Sequence, residues 1–182
     1  KCVFLETPSN PTLDIVDIEA VGKLAKKHGA LFVVDNIFAT PILQKPLKMG
    51  ADVIVYSGTK HMDGQGRVLG GAIVSTLEFK EKLLKPFLRH TGPSLSPFNA
   101  WVLLKGLETL KLRVEAQSQS AHTVAQHLSA MKGIQRVIYP HLDSHPQEAL
   151  ARRQMTLGGT MVTFEVEGGK KRAFDVLRNL RL

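Results

Sequence analysis

Four short apolar runs constrain this chain more than any other feature: 2–6 (CVFLE), 31–35 (LFVVD), 52–57 (DVIVYS) and 71–75 (GAIVS). They are rich in β-branched residues and continuous in hydrophobicity rather than alternating. A strand of that kind leaves no face for water, so it suits a sheet covered on both sides. Between the first two runs, Ile18, Val21, Leu24 and Ala25 fall on one helical stripe. Asp17 stands where an N-cap belongs and Gly29 where a helix ends. Strand, helix and strand in that order predict parallel pairing, and hence an α/β fold.

A second pattern begins at Ser96, an N-cap residue followed by Pro97 at the first helical position, and closes at Gly133. A helix of about 35 residues exceeds the usual globular length. A break is therefore expected near Gly106 or within the polar stretch 115–120. Beyond it, residues 134–140, a loop with histidines and prolines, a short helix near 146–155, residues 160–166 and a helical pattern from 170 predict the start of a smaller α+β domain. The expected division is 1–112 for part of a larger domain and 113–182 for the connecting helix and the small one. Residue 1 opens inside a strand-like run without an initiator Met, and the last residues are still helical in pattern. The chain is thus expected to be an internal piece of a larger protein. Its 182 residues, 43% of them apolar, are enough for one sizeable core.

Charge narrows the function classes. The 24 basic and 16 acidic residues give +8, but the cations are scattered over many helix faces and lack the interleaved aromatics of single-strand binding. No nucleic-acid partner is expected; a phosphate-bearing ligand fits the balance better. The single Cys2 excludes an internal disulfide framework and a cysteine zinc site, and agrees with a cytoplasmic location. No apolar stretch approaches the ~18 residues of a membrane span, so no membrane partner is expected. His141, Asp143 and His145 share a loop without metal-ligand spacing, and no metal is assigned to them. Phe98 and Trp101 follow helical spacing and read as core.

Ligands of parallel sheets bind beyond the carboxyl ends of the strands, and three such ends carry chemistry here. The first gives Glu6 and, shortly after, Asn10; the second Asp35 and Asn36; the third Ser57, Gly58, Thr59 and Lys60. A carboxylate ending an apolar strand is costly to desolvate without a cationic partner. Asp35 is suited to hold a heterocyclic nitrogen protonated, Ser57 and Thr59 to donate to phosphate oxygens, and Lys60 to form a Schiff base. That set meets the needs of pyridoxal 5'-phosphate. Gly64, Gly66, Gly70 and Gly71 permit a tight return into the next strand. Ser57 and Lys60 also fit the Ser-x-x-Lys signature of penicillin-recognising acyl transferases, but that motif opens a helix and needs Ser-Asp-Asn and Lys-Thr-Gly partners absent from this sequence.

The stretches ETPSNPTLDIVDI, VVDNIFATP, GADVIVYSGTKHMDGQGRVLGGAIV and GLETLKLR together resemble the Cys/Met-metabolism family of pyridoxal-phosphate enzymes. The resemblance implies a three-layer, mostly parallel sheet of the aspartate-aminotransferase type. It implies Lys60 as the Schiff-base lysine, Asp35 as partner of the pyridine nitrogen, Ser57 and Thr59 on the phosphate, and Asn10 near the ring hydroxyl or substrate. DGQGRVLGG followed by GPSLSPFNAW is most similar to the branch that replaces the succinyloxy group of O-succinylhomoserine with sulfide. The cystathionine and methionine γ-lyases and cystathionine γ-synthases are the neighbouring branches. His61 stands where many members carry Tyr, and Ile37 where many carry Thr. The resemblance further implies an amino-acid substrate, a homo-oligomer built as a dimer of dimers, and ring-stacking and carboxylate-binding residues outside this chain.

Overall fold

The computed structural model describes residues 1–181. Strands β1 (Cys2–Glu6), β2 (Leu31–Asp35), β3 (Val53–Ser57) and β4 (Gly71–Ser75) form one sheet in that order. The first three run parallel, and β4 returns antiparallel to β3. Residues 58–70 hold one wide helical turn but no crossover helix, so the chain folds straight back on itself.

Helix α1 (Ile18–Lys27) makes the first crossover. The Asp17 carboxylate accepts from Ala20 N at 3.0 Å, and Lys26 and Lys27 complement the carboxyl end of the helix. Gly29 follows at φ 59°, a left-handed conformation that costs glycine nothing. Ile18 and Ala25 pack on Phe32, Val34 and Ala51 to bury one face of the sheet. Leu24, expected in that stripe, is instead exposed. The second crossover is shorter: α2 (Thr40–Leu43) and a 3-10 turn at Pro46–Met49.

After β4, α3 (Leu77–Phe79), a wide turn at Lys80–Leu84 and α4 (Lys85–Thr91) follow one another directly. The long helical pattern is two helices, α5 (Pro97–Glu108) and α6 (Leu110–Ser129), parted at Thr109. Ser96 caps α5 through Asn99 N at 3.1 Å. Of the two expected break points, the one near Gly106 matches, while 115–120 stays helical. The core reading of the aromatics needs correcting: Phe98 is 66% and Trp101 55% exposed, while Val102 and Leu103 point inward.

β5 (Ile134–Ile138) and β6 (Thr163–Val166) form a separate antiparallel pair, with α7 (Glu148–Gln154) between them and α8 (Gly169–Asn179) after. Helix α6 packs at both its ends. Leu110 and Val114 join Ile15, Ala39, Leu43, Ala151 and Met155. Ala121 and Ala125 join Val137 and Tyr139 beneath the second sheet.

Candidate functional site at the carboxyl ends of the strands

Strand pairing fixes where the chemistry lies. Glu6 is the partner of Asp35, Asp35 of Val55, and Val55 of Ile73. Partners across a sheet face the same side, and residues two apart on a strand do as well. Glu6, Asp35 and Ser57 therefore share one face. Their neighbour Val34 packs toward α1, so that face is the one turned away from α1.

Asp35 is half-buried, and burial raises its pKa above the ordinary carboxylate value, partly offset by the hydrogen bond from Ile37 N to Oδ1 at 3.1 Å. It has no cationic partner among the described residues. Lys60 is exposed in the wide turn Gly58–Met62 that follows β3. Ser57 and Thr59 flank the start of this turn, both half-buried, and Ser57 does not cap it with its side chain. Asn10 lies apart in the loop after β1, exposed, its N donating to Glu6 Oε1 at 2.7 Å. The structure thus brings Asp35, Ser57, Thr59 and Lys60 to one edge of the sheet and leaves Asn10 on the neighbouring loop. Glu6 is occupied in shaping that loop.

The lysine turn is braced on all sides. Gly58 N donates to Gly70 O at 2.7 Å, and a Cβ at Gly58 would come within 3.0 Å of Gly70 backbone atoms. A Cβ at Gly106 would come within 2.0 Å of Met62 O, so α5 touches the turn backbone directly. Asp63 is fully buried and bonded by Arg67, Nε to Oδ1 at 2.8 Å. Burial works to raise the Asp63 pKa, but the Arg67 hydrogen bonds and charge, with Gln65 N, outweigh it and hold the group ionised at lower pH. His61 Nε2 meets Thr160 Oγ1 at 2.8 Å, from the segment just before β6. Burial lowers the His61 pKa and the Arg113 charge adds to that, against an opposing pull from the Ile37 backbone, and the net shift favours the neutral ring. Lys60, His61, Gly64, Arg113, Thr160 and Phe38 line a cavity of about 330 Å³.

Behind the sheet lies a buried amide network that the sequence did not single out. Asn36 Nδ2 lies 3.0–3.1 Å from Thr40 O, Gln44 O and Tyr56 OH. Gln44 Nε2 donates to Asn36 Oδ1 at 2.8 Å and to Thr7 O at 3.1 Å, and Gln154 Nε2 reaches Gln44 Oε1 at 3.1 Å. These bonds tie the ends of β1, β2 and β3 together beneath the site. The local signal was Asn36 itself, an amide directly after a buried strand. Of the loop residues, His145 is committed elsewhere, its Nε2 meeting Leu13 O at 3.2 Å and its Nδ1 accepting from Gln147 N at 3.1 Å, and the Asp143 side chain is fully exposed.

The carboxyl edge of the sheet thus carries a half-buried carboxylate, two hydroxyls and a lysine without an ion pair among the described residues. The whole chain, residues 1–182, matches the Cys/Met metabolism PLP-dependent enzymes and belongs to that family. It is 54% identical over 186 residues to an O-succinylhomoserine sulfhydrylase of Mycobacterium tuberculosis (strain CDC 1551 / Oshkosh), covering 100% of this chain and 46% of the relative. A Pseudomonas aeruginosa O-succinylhomoserine sulfhydrylase is 50% identical over 182 residues, with 100% and 45% covered. A crystal structure of cystathionine gamma synthase from Xanthomonas oryzae pv. oryzae, in complex with aminoacrylate and cysteine, superposes with a TM-score of 0.95 at 42% identity, covering 100% of this chain and 47% of that one. The chain spans about half the length of the relatives it matches. No helix among the described residues is long and apolar enough to cross a membrane.

Proposed function

We propose that the protein replaces the γ-acyloxy group of an O-acylated homoserine, with O-succinylhomoserine and sulfide giving homocysteine and succinate. The observation that carries this reading is the gathering of Asp35, Ser57, Thr59 and Lys60 at adjacent strand ends on one edge of the sheet. Similarity to two O-succinylhomoserine sulfhydrylases at 50% and 54% identity supports the choice of substrate and of sulfide.

The residues fit pyridoxal phosphate. Asp35 is a half-buried carboxylate without a cation, and a protonated ring nitrogen would supply one. Lys60 is exposed at the cavity and free of ion pairs among the described residues. When bound, the cofactor supplies an electron-withdrawing ring that stabilises negative charge at the substrate Cα. Lys60 Nζ would hold it covalently and, once released by the incoming amine, would take a proton from Cα and then move one at Cβ, so that the γ-substituent can leave as the carboxylate. Asp35 would keep the ring nitrogen protonated by charge pairing. The hydroxyls of Ser57 and Thr59 would donate to the phosphate. Asn10, on the loop beside Glu6, would approach the ring hydroxyl or the substrate.

The same reading assigns residues 1–112 to the cofactor domain and 113–182 to the connecting helix and small domain, in a cytoplasmic homo-oligomer. Exposed Phe98, Trp101 and Leu104 on α5 are consistent with further protein covering that surface. The test is product identity with O-succinylhomoserine, with and without sulfide. Homocysteine formed only when sulfide is present is the expected result. Main products of 2-oxobutyrate and ammonia even with sulfide present would assign the protein to the lyase branch instead.

A further inference from the structure

The guanidinium of Arg113 is the least explained group near the lysine. Nε donates to Thr109 Oγ1 at 3.0 Å and Nη2 to Gly106 O at 2.8 Å, so both anchors belong to the junction of α5 and α6. Nη1 is buried and makes no hydrogen bond. It lies against Gly64, where a Cβ would come within 2.2 Å of it. Gly64 N in turn donates to Lys60 O at 2.7 Å.

A long cationic side chain would ordinarily keep its head in water, and a buried N–H without an acceptor is unfavourable. Arg113 has no carboxylate partner among the described residues to account for its position. What the position does achieve is mechanical. His61 is held by Thr160, Met62 by α5 at Gly106, Asp63 by Arg67 and Gly64 by the guanidinium. Every residue from 61 to 64 thus has a bonded or contacting neighbour, two of these neighbours from the α5–α6 junction, while the Lys60 side chain stays exposed. A covalent cofactor site needs that combination: a backbone held still under a side chain free to swing between attachment and proton transfer.

We propose that Arg113 is a positioning residue for Lys60, a wedge between the α5–α6 junction and Gly64 that fixes the turn carrying the lysine. The role rests on the reading of Lys60 as the cofactor lysine, but the wedge is a property of the protein alone and can be measured without cofactor. Lys would not replace it, because a single ammonium cannot bond both Gly106 and Thr109 through a fork while still filling the space against Gly64.

The test compares wild type, Arg113→Met, Arg113→Lys and the milder Thr109→Val in the purified protein. Two quantities are read: hydrogen exchange of residues 58–66 without cofactor, and the dissociation constant of pyridoxal phosphate. The expected result is faster exchange confined to 58–66 in Arg113→Met, with residues 18–27 of α1 unchanged, and cofactor affinity weakened about tenfold or more, as loss of a supporting contact typically does. Arg113→Lys should fall close to Arg113→Met, and Thr109→Val should shift both quantities in the same direction by less. Unchanged exchange at 58–66 with unchanged affinity would overturn the proposal, as would exchange that rises equally in α1, which marks a general structural role. If Arg113→Met does not fold, Thr109→Val decides on the same two readings. Faster exchange at 58–66 in a protein that takes up no cofactor at Lys60 would support the wedge and overturn the cofactor reading instead.

Discussion

Asp35 illustrates how a residue can be unfavourable for the fold and useful to the site. Burial raises its pKa above the ordinary value, so the ionised form is disfavoured in the folded protein relative to the unfolded chain. The contribution of the group to stability is then greatest below the ordinary carboxylate pKa and is lost as pH rises through the raised value. Asp35→Asn should raise the melting temperature of the cofactor-free protein at pH 7, with the difference shrinking to nothing in acid, below the ordinary carboxylate range. The same variant should bind pyridoxal phosphate poorly. Thermal melts of both proteins across pH check the first part; a variant no more stable than wild type at pH 7 would mean the carboxylate is better compensated than its surroundings indicate. Asp63 is the contrasting case, a buried acid whose partner Arg67 is present and whose pKa is lowered.

Elements meet the site through glycines. Helix α5 reaches the lysine turn because Gly106 has no side chain: a Cβ there would stand within 2.0 Å of Met62 O, a backbone atom that cannot swing aside. Gly106→Ala should therefore push α5 off the turn, at a cost of about 1–3 kcal/mol typical of overpacking, and weaken cofactor binding as well. Urea denaturation reads the first effect, and an unchanged midpoint would contradict the close approach. Much at this scale was legible beforehand. The strands, the Asp17 and Ser96 caps and the end of α1 at Gly29 are set by local rules of capping and β-branched runs, and the chain obeys them. Asp35, Ser57, Thr59 and Lys60 could be grouped because parallel strands all present their carboxyl ends at one edge. The reversal of β4 followed from the missing crossover rather than from the strand's own residues. The Asn36–Gln44–Gln154 network and the Arg113–Gly64 contact join residues far apart in sequence, and apart from Asn36 after its strand no local pattern marks them. Phe98 and Trp101 misled for the opposite reason: helical spacing gave them a face, but nothing local says what that face meets.

At the scale of the molecule, one sheet carries the proposed site and the rest packs around it. Helix α6 packs at one end on the segments behind the site and at the other on the β5–β6 pair. His61 joins the lysine turn to the segment before β6 through Thr160. The loss of either connection would be felt at Lys60 without touching it. The chain belongs to the Cys/Met metabolism PLP-dependent enzymes, and the sulfide dependence of product formation tests the proposed replacement.

The central claim is that Lys60 is the residue that takes pyridoxal phosphate. The direct measurement is to incubate the folded protein with the cofactor, reduce with borohydride, digest and locate any pyridoxyl adduct by mass spectrometry. The account predicts an adduct on Lys60 in wild type and none at that position in Lys60→Ala. A folded wild-type protein with no adduct, or with its adduct on another lysine, would contradict it.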